Sequence, residues 1–572
     1  MVNNHKVIWK DINWKKFHRH VYRLQKRIFK ASQRGDVGEM RRLQKLLMKS
    51  YAAKCLAVRR VTQDNQGKST AGVDGVKSLT PKQRLELVET LKLGTKARAT
   101  RRVMIPKPGK AEKRPLGIPT MSDRALQCLV KLALEPEWEA RFEENSYGFR
   151  PGRSTHDAIG AIFTSIAQKP KYVFDADISK CFDRIDHKAL LYKLNTFPAL
   201  RRQVKSWLKA GYILDHQWEP TYAGTPQGGV ISPLLANIAL HGLEQHTRSC
   251  FKSNSKTKTE LGVVRYADDF VILHKDLKVL EACIKGASDF LASIGLELHP
   301  DKTKVVHTLN SHDNQKPGFN FLGFNICQYK IGKHQGGKQG FVTLIKPQKE
   351  KVQAHHQKLA DIIVKMLATP QSALVGKLNP IIRGWSNYYS TVVSKETFEK
   401  LDALLYWNLR NWGKRRHASK TEKWVYERYW HRIQQGDYNA MTFSTSQAIE
   451  NPCWLLSHAR TPIVRHVKVK GVKSPFDGDL IYWSTRLGEH PEMDATVAKL
   501  LKHQEGKCTY CRHNFMDGDL MEKDHTVEKR FGGKNSFDNL QLLHRHCHDK
   551  KTAMMSVLVS SNVKEAGKRG AE

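Results

Sequence analysis

The stretch Arg265-Tyr-Ala-Asp-Asp-Phe-Val-Ile-Leu273 is the most informative part of this sequence, because two adjacent aspartates stand inside an apolar run. The run over Val263–Leu273 predicts a buried strand. A buried carboxylate is unfavourable unless a cation or hydrogen bonds compensate its charge. The pair Asp268-Asp269 is therefore not part of a solvated charged face, and the stretch predicts an acidic site on a sheet.

A second apolar segment, the predicted strand Tyr172–Ile178, carries Asp175 and Asp177 and is followed by Asp183. Two such segments that converge would form an oxygen-rich, strongly negative site suited to Mg²⁺. Either segment alone could instead be a strand end whose aspartates cap a hairpin turn. That alternative is reasonable for Asp175 and Asp183 and weak for the Asp268-Asp269 pair.

The tail holds a third group of polar residues, with the spacing of metal ligands. Cys508-Thr-Tyr-Cys511 is followed by Asp524-His525, Asn539 and His544-Arg-His-Cys-His548. Two pairs of ligand-type residues, each pair separated by two residues, have zinc-site spacing. A domain this small needs such a staple, because its core is too small alone. The predicted ligands are Cys508, Cys511, His544 and Cys547, with His546 as the alternative to His544.

Composition narrows the class of protein. Lys+Arg 96 against Asp+Glu 55 leaves a net charge of +41 over 572 residues, which points to a polyanionic partner such as nucleic acid. Ten cysteines in a chain of this length are too sparse for a disulfide scaffold. No apolar run is long enough to span a bilayer, and Met1–Lys6 lacks a signal pattern. We expect a cytoplasmic protein, bacterial or organellar, with no membrane partner.

The pattern along the chain predicts a multidomain α+β protein. Residues 1–70 hold 18 Lys/Arg against 4 Asp/Glu with apolar residues at helical spacing, which favours an RNA-facing arm over an ordinary solvated helical face. Strands and helices then alternate over 71–335, with helices predicted at Gln127–Phe142 and Ala282–Ile294 and a loop at Lys252–Glu260. The remaining predicted divisions are a helical section at 345–445, an irregular section at 446–500, the domain at 501–560 that holds the metal-ligand residues and is called the tail below, and a terminal stretch at 561–572.

Tyr-Ala-Asp-Asp resembles the catalytic box of reverse transcriptases, and its neighbours resemble the group II intron branch. Five further blocks occur in the order of that family: Arg102-Val-Met-Ile-Pro-Lys107, Lys113-Arg-Pro-Leu-Gly-Ile-Pro119, Ser146-Tyr-Gly-Phe-Arg-Pro-Gly152, Gly224-Thr-Pro-Gln-Gly-Gly-Val-Ile-Ser-Pro233 and Phe321-Leu-Gly-Phe324. The tail resembles an HNH nuclease. The resemblance implies a right-hand polymerase, with a mixed sheet in fingers and palm and a helical thumb, followed by a small zinc-stapled ββα-metal domain.

Carried over residue by residue, the resemblance implies a two-ion Mg²⁺ site at Asp177, Asp268 and Asp269, with the Ile178 carbonyl assisting. Two such ions would activate a primer 3′-hydroxyl and stabilise the leaving pyrophosphate. The residues implied for the incoming deoxynucleoside triphosphate are Lys107, Arg114, Phe182, Gln227 and Lys302. Without the motif, the bases would be ordinary surface residues and Phe182 a core residue.

The helical section resembles the thumb, or maturase domain, of these enzymes. Aromatic faces stack on unpaired bases while Arg and Lys meet phosphates, so its mixture of the two suits structured RNA. The alternative is a helical core with basic edges, and most of its tryptophans are expected to be core. The predicted RNA-binding residues are Arg383, Trp385, Arg410, Arg415 and Arg416. Section 446–500 corresponds by resemblance to a DNA-binding region.

For the tail, the resemblance implies a nuclease site beside the structural zinc. Asp524 and His548 would hold Mg²⁺ or Mn²⁺, and His525 would be the base that activates water. Asn539 would orient that base or join the metal. The alternative is a purely structural zinc ribbon, which the Cys pairs alone would also support.

The resemblance implies a group II intron-encoded protein that combines reverse transcriptase, maturase and HNH endonuclease. Its expected partners are intron RNA in a ribonucleoprotein, target DNA in the nucleoid, and deoxynucleoside triphosphates. It would nick DNA and prime cDNA synthesis in intron mobility, or retrohoming. Two rivals are an RNA-binding splicing cofactor without catalysis and a reverse transcriptase recruited to CRISPR or phage defence. Intact Asp177, Asp269 and His525 count against the first.

Overall fold

A computed structural model describes residues 8–94, 96–106, 112–250, 260–332, 339–435, 438–446, 452–516 and 518–555. Its helices are α1 Trp14–Gln33, α2 Val37–Lys49, α3 Tyr51–Arg59, α4 Pro81–Thr90, α5 Met121–Glu139, α6 Thr155–Ile166, α7 Cys181–Arg184, α8 His187–Leu194, α9 Pro198–Leu208, α10 Ser232–Leu240, α11 Leu243–Ser249, α12 Leu277–Ser293, α13 Lys349–Lys365, α14 Gln371–Tyr389, α15 Lys395–Arg416, α16 Glu422–Tyr429, α17 Leu480–Leu487, α18 Ala495–His503 and α19 at 545–555.

The strands are β1 Thr100–Pro106, β2 Lys113–Ile118, β3 Tyr172–Asp177, β4 Tyr212–Leu214, β5 Gln217–Glu219, β6 Gly262–Tyr266, β7 Asp269–His274, β8 Lys304–His307, β9 Phe319–Phe321, β10 Phe324–Lys330, β11 Phe341–Pro347, β12 Trp430–Gln435, β13 Tyr438–Phe443, β14 Met521–His525 and β15 Leu540–His544. Within the ranges described, no helix is both long and apolar enough to cross a membrane.

The basic N-terminal residues form helices that pack into the body of the protein. The apolar faces of α1 and α2 bury Ile28 and Leu43 in the same core as α5. Polar contacts add to this packing, since the Gln25 amide donates to the Leu132 carbonyl at 2.9 Å and Gln44 donates to Glu137 at 2.6 Å. The predicted helices are therefore present, but as a layer on α5 rather than a projecting arm.

Two four-stranded sheets follow. The N-terminal sheet has the order β2-β1-β4-β5 and is mixed, because β1 and β4 run parallel. The central sheet has the order β6-β7-β3-β8 and is antiparallel throughout. The predicted mixed sheet therefore describes the N-terminal sheet and not the central one.

The single strand predicted over Val263–Leu273 is wrong. The chain reverses at Ala267-Asp268, so that β6 and β7 form a hairpin in which Tyr266 pairs with Asp269. Ala267 adopts a φ of +59°, the left-handed conformation that a two-residue hairpin turn requires. The apolar residues on both sides of the turn hid this reversal from the sequence pattern.

The predicted helices are present with shifted ends. The one expected at Gln127–Phe142 is α5, which begins earlier because the Thr120 hydroxyl caps it by accepting from the Asp123 N–H. The one expected at Ala282–Ile294 is α12, which is likewise capped early, by Asp276. Of the predicted loop Lys252–Glu260, all but Glu260 lies outside the described residues.

The section at 345–445 is helical only as far as α16. Beyond it, β12 and β13 form an antiparallel hairpin, so the helical prediction is wrong for its last part. Trp430 and Phe443 from this hairpin are buried in the core that α13 to α16 share. The hairpin covers one side of that core with two aromatic rings. Helix propensity is a local property, so it does not predict a hairpin that forms through tertiary packing.

The section predicted to be irregular at 446–500 forms no α-helix or strand over residues 452–479, but α17 and α18 make the prediction wrong for its last part. The section lies against the body of the protein. The buried Asp157 carboxylate at the start of α6 accepts from His466 at 3.0 Å, the Val469 N–H at 2.8 Å and Arg486 at 2.7 Å. These bonds fix residues 466–486 to the start of α6. Residues 454–459 instead bond to Asn379 of α14 and Asp402 of α15. Beyond α18, the tail is a β14–β15 hairpin followed by α19, around a small core that it shares with α18.

Candidate active sites

The three aspartates singled out by the sequence meet at one end of the central sheet. The antiparallel register of β3 and β7 sets Asp177 directly opposite Asp269. Asp268 occupies the turn that joins β6 to β7. Opposed residues on neighbouring strands lie on the same face of a sheet. The predicted convergence of the two acidic segments is therefore what the fold produces.

Burial and mutual repulsion change the acidity of these groups. Burial, together with the charges of Asp268 and Asp177, raises the pKa of Asp269 to about 7. Burial likewise raises the pKa of Asp268, and it raises the pKa of Asp175 to about 6. Carboxylates crowded in this way ionise together only when a cation compensates them. The oxygen donors fit Mg²⁺, which supports the predicted cation site.

One cation of the chain already touches this acidic site. The Lys302 ammonium group forms an ion pair with the Asp177 carboxylate. The segment that carries it is tied to the end of β3, because the His299 N–H donates to the Asp177 carbonyl at 2.8 Å. Lys302 therefore lies beside Asp177.

A buried arginine that the sequence analysis did not single out holds the Ala267-Asp268 turn. Arg265 is 3% exposed and donates to the Ala267 carbonyl at 3.1 Å. The same guanidinium donates to the Asn237 side chain at 3.0 Å and to the Ser146 hydroxyl at 2.7 Å. A guanidinium with fixed donors, satisfied on three sides, sets the turn relative to α10 and to the segment around Ser146. Its position inside an apolar run was the available signal.

The turn is also approached closely from the other side. Asn237 donates to the Gly148 carbonyl at 2.7 Å, which presses residue 148 against the turn. A Cβ atom on Gly148 would lie 2.3 Å from the Ala267 nitrogen, so no other residue fits there. The block Ser146–Gly152 therefore supports the acidic turn, a role that its sequence did not disclose.

Two phenylalanines stand beside the acidic site. Phe182 is half-buried, and its ring meets the edge of the Phe149 ring at 6.1 Å. Phe149 is 48% exposed and has a φ of +60°, an unusual combination for a bulky aromatic residue. The structure thus places the predicted Phe182 next to a second, more exposed ring.

Gln227 lies in a loop pressed against the N-terminal sheet. Its backbone carbonyl accepts from the Gly117 N–H at 2.6 Å, and its amide donates to Asp183 at 3.3 Å. Gly228 adopts a φ of +113°, where a Cβ would lie 2.6 Å from the Gly117 carbonyl. The glycine lets the loop approach β2 closely and holds Gln227 over the end of α7.

Of the remaining predicted nucleotide-binding residues, one is exposed, one is buried and one is not described by the structure. Arg114 is exposed on β2, and its charge reaches Asp268, where it opposes the rise in that pKa. Ile178 is buried directly after β3 and pairs with Leu298. Lys107 lies outside the described residues.

The tail brings its four predicted metal ligands together. The ligand atoms of Cys508, Cys511, His544 and Cys547 all lie within 4.8 Å of one another. His544 also pairs with Asp519 at 3.3 Å, the carboxylate contact that orients metal-bound imidazoles. The structure therefore places His544, and not His546, in this cluster, and its donor set fits a tetrahedral metal ion such as zinc.

Of the predicted nuclease residues, Asp524 and His525 lie on β14, His548 lies on α19, and Asn539 ends the short turn before β15. His548 approaches the Asp524 carboxylate at 3.7 Å, and its other ring nitrogen pairs with Glu522 at 2.8 Å. Lys551 donates to Asp524 at 2.6 Å. Glu522 and Lys551 were not singled out by the sequence, although both lie within three residues of a predicted ligand.

The His525 ring is oriented by an asparagine other than the predicted one. His525 shares a hydrogen bond with the Asn535 side chain at 3.1 Å. The Asn539 side chain instead bonds to backbone, donating to the Val527 carbonyl at 2.9 Å and the Lys534 carbonyl at 2.8 Å. Asn539 thus closes the loop that carries Asn535, and its amide is turned away from His525.

The predicted RNA-binding residues of the helical section fall into two groups. Arg383 and Arg415 are exposed. Arg410 forms an ion pair with Glu422 and lies over the Trp407 ring at 4.9 Å. Trp385 and Arg416 are instead engaged inside the protein, the first stacked on His355 at 4.5 Å and the second donating to the Leu367 and Thr369 carbonyls.

Four parts of the amino-acid sequence match known protein families. Residues 9–91 match the N-terminal domain of reverse transcriptase, and residues 105–326 match reverse transcriptase, the RNA-dependent DNA polymerase. Residues 352–430 match the maturase-specific domain of group II introns, and residues 508–554 match the HNH endonuclease. The fold and the sites thus define a reverse transcriptase joined to a nuclease domain.

Curated relatives place the chain more closely. It is 33% identical over 333 residues to protein YkfC of Escherichia coli strain K12, which covers 50% of this chain and 84% of that protein. It is 35% identical over 252 residues to the group II intron-encoded protein LtrA of Lactococcus lactis subsp. cremoris, 43% of this chain and 41% of LtrA. It is 29% identical over 365 residues to a 91 kDa protein in the cob intron of Schizosaccharomyces pombe, 52% of this chain and 44% of that protein.

The chain therefore belongs to the group II intron-encoded reverse transcriptase and maturase family, and it carries an HNH endonuclease domain. The predicted combination of reverse transcriptase, maturase domain and endonuclease is confirmed. The chain spans less than half the length of LtrA and of the cob-intron protein.

Proposed function

We propose that the central sheet is the palm of a right-hand polymerase that copies RNA into DNA at Asp177, Asp268 and Asp269. The N-terminal sheet would be the fingers, and α13 to α16 the thumb. The observation that carries this proposal is the register that sets Asp177 opposite Asp269, with Asp268 on the adjoining turn. Mg²⁺ held there, with the Ile178 carbonyl assisting, would activate the primer 3′-hydroxyl and stabilise the leaving pyrophosphate.

The residues of the chain divide the remaining tasks by position. Lys302, which is paired with Asp177, would stabilise the negative charge that develops on the departing pyrophosphate. Arg114, whose charge reaches Asp268, stands on the side from which a triphosphate would enter, and Lys107 would join it. Phe182 would lie beneath the sugar and Gln227 beside the incoming base.

We propose that the exposed bases of the thumb bind intron RNA and assist its splicing. Arg383, Arg410 and Arg415 present cations at the surface of helices matched by the maturase-specific model. Trp385 and Arg416 act there through packing, since their side chains are engaged inside the protein. The ribonucleoprotein formed in this way would carry the enzyme to DNA in the nucleoid of a bacterium or an organelle.

We propose that the tail nicks that DNA and that the new 3′ end primes synthesis. Zinc at Cys508, Cys511, His544 and Cys547 would hold the domain together. Asp524 and His548 would hold Mg²⁺ or Mn²⁺ beside the scissile phosphate. His525, held by Asn535, would take the proton of the attacking water. Asn539 would hold the loop that carries Asn535.

Primer extension on an RNA template tests the polymerase proposal. The purified protein is given an annealed DNA primer, deoxynucleotides and Mg²⁺, beside an Asp269→Asn variant. Loss of a metal ligand removes several kcal/mol of transition-state stabilisation, so we expect extension to slow by roughly a thousandfold. Asp313→Asn changes an aspartate whose side chain is 83% exposed, and this matched control should extend normally.

Two other results would contradict the proposal. A wild-type protein that binds RNA but incorporates nothing would reduce the chain to a splicing cofactor. Equal extension by wild type and Asp269→Asn would place the chemistry elsewhere. Splicing of a flanking intron RNA, measured with the same preparation, separates an intron-encoded enzyme from one recruited to CRISPR or phage defence.

A further inference from the structure

Two helices of the thumb each present a stripe of residues to a shared cavity of about 310 Å³. On α15 the stripe is Tyr406, Arg410 and Lys414, and on α16 and the first residue of β12 it is Glu422, Tyr426 and Trp430. Each stripe repeats every four residues, which is the spacing that keeps side chains on one face of a helix. The cavity is at the small end of ligand pockets, which run from roughly 300 to 1,000 Å³.

One end of this cavity is aromatic. The rings of Tyr426 and Trp430 are stacked with their planes 10° apart and centroids 5.4 Å apart. Tyr406 meets Trp430 edge-on at 5.7 Å and is itself 37% exposed. Trp430 is buried, so the exposed aromatic surface of this end belongs to Tyr406 and to the half-buried Tyr426. Exposed aromatic rings of this kind are platforms for unpaired bases.

The other end of the cavity is charged. Arg410 and Lys414 both contact the Glu422 carboxylate, Lys414 at 3.2 Å. Lys423 adds a third cation to the lining, so the cations outnumber the one carboxylate. Hydrogen bonds from Arg410 and then Lys414 hold the pKa of Glu422 below its usual range. The carboxylate is therefore ionised and can only accept hydrogen bonds.

We infer that this cavity binds one unpaired guanosine of a structured RNA. The base would lie on the aromatic end, its adjacent N1–H and N2–H₂ donors would meet Glu422, and its phosphates would meet Lys414 and Lys423. One helical turn, about 5.4 Å, separates Glu422 from Tyr426, so a base on the ring reaches the carboxylate with its edge. Uracil offers one such donor between two carbonyl oxygens, which a carboxylate repels.

This inference rests on the proposed RNA-binding role of the thumb and adds a site and a base preference to it. None of the lining residues other than Arg410 was singled out by the sequence. The ligand is taken as RNA because the cavity lies within or beside the residues matched by the maturase-specific model. Unpaired bases splayed from loops and bulges are also the elements that proteins read in structured RNA.

Binding of fluorescent RNA hairpins to the full-length protein tests it. Three hairpins differ only in carrying a bulged guanosine, a bulged uridine or no bulge. We expect the guanosine bulge to bind roughly tenfold tighter than the uridine bulge, the range of one bidentate base contact. Tyr426→Leu should weaken the guanosine bulge by about tenfold and leave the fully paired hairpin unchanged.

Glu422→Gln separates recognition from charge. An amide offers a donor as well as an acceptor, so the preference for guanosine over uridine should disappear while total RNA binding remains. Glu399→Gln, an exposed carboxylate on α15 outside the cavity lining, is the matched control and should keep the preference. This pair keeps the test decisive even if thermal unfolding shows that Tyr426→Leu is misfolded.

The outcomes distinguish this inference from the proposed function. Equal affinity of wild type for all three hairpins, with primer extension intact, overturns the guanosine site alone. A DNA hairpin with the same bulge that binds as tightly overturns the assignment to RNA. A wild-type protein that binds none of the RNAs overturns both the site and the RNA-binding role on which it rests.

Discussion

The proposed palm site and the proposed nuclease site both gather acidic and basic side chains at a β-hairpin, but they are held together in different ways. The palm aspartates stand on a sheet that has an extensive buried core on each face. The tail hairpin has a small core in which Cys508 and Cys547 are themselves members. In the central sheet, packing brings like charges together, and the proposed Mg²⁺ would serve the chemistry alone. In the tail, the proposed zinc would also hold the fold.

The largest expected effect is the loss of one activity, DNA nicking, while the other, primer extension, is retained. Cys508→Ser removes a ligand from a cluster whose metal contributes roughly 10–16 kcal/mol of folding free energy in small zinc domains. We expect nicking of plasmid DNA to be lost, and zinc content to fall, while primer extension continues. His546→Ala is the control and should nick normally, since the structure keeps His546 out of the cluster. Nicking by Cys508→Ser at the wild-type rate would show that the tail folds without its metal.

A second test concerns the section that lies between the two sites in sequence. Asp157→Asn leaves His466 and Arg486 without their buried carboxylate, and breaking such a pair costs about 3–5 kcal/mol. We expect a lower urea midpoint and faster proteolysis within residues 461–486. Exposed Asp313→Asn should change neither.

The same carboxylate gives a pH dependence with a definite sign. Burial alone would raise the pKa of Asp157, but His466, the Val469 N–H and Arg486 together hold it well below its usual range. A depressed folded-state pKa stabilises the protein above the unfolded value, roughly pH 4, and this stability is lost as the pH falls below it. Wild type should therefore lose its advantage over Asp157→Asn between about pH 4 and pH 2. An advantage that persists unchanged to pH 2 would contradict the ion-pair account.

A smaller effect tests how the palm turn is held. Arg265→Lys keeps the positive charge but cannot bond Ala267, Asn237 and Ser146 together. We expect kcat for primer extension to fall by about 10–100-fold, as for other residues that orient metal ligands, with little change in KM for deoxynucleotides. Exposed Arg428→Lys is the matched control. A change in KM alone would assign Arg265 to substrate binding.

The smallest expected effect compares two asparagines of the tail. Asn535→Ala frees the His525 ring, and we expect nicking to slow by about tenfold with the zinc content unchanged. Asn539→Ala opens the loop backbone and should lower the thermal stability of the tail as well. If only Asn539→Ala slowed nicking, the base would be oriented by Asn539 after all.

The sequence motifs predicted most of the candidate site residues, whereas the local hydrophobic pattern did not predict two of the hairpins. The aspartates, the Cys/His cluster and Lys302 were predicted, and the structure brings each to the expected neighbourhood. The hairpin inside Val263–Leu273 was missed because apolar residues lie on both sides of its turn. The one after α16 was missed although the sequence Gln435-Gly-Asp437 is a turn signal. Arg265 was missed because its partners Ser146 and Asn237 lie far from it in sequence, and the contact of Tyr406 with Trp430 is hidden for the same reason.

The sequence by itself determined the chemistry, since carboxylates, thiols and imidazoles at given spacings limit which ions and reactions are accessible. Tertiary structure decided which atoms share a site. The register of β3 on β7 opposed Asp177 to Asp269, and the contact with Asp519 selected His544. The physical reason is that a motif specifies donors along a chain, whereas pairing and burial act between segments far apart in sequence.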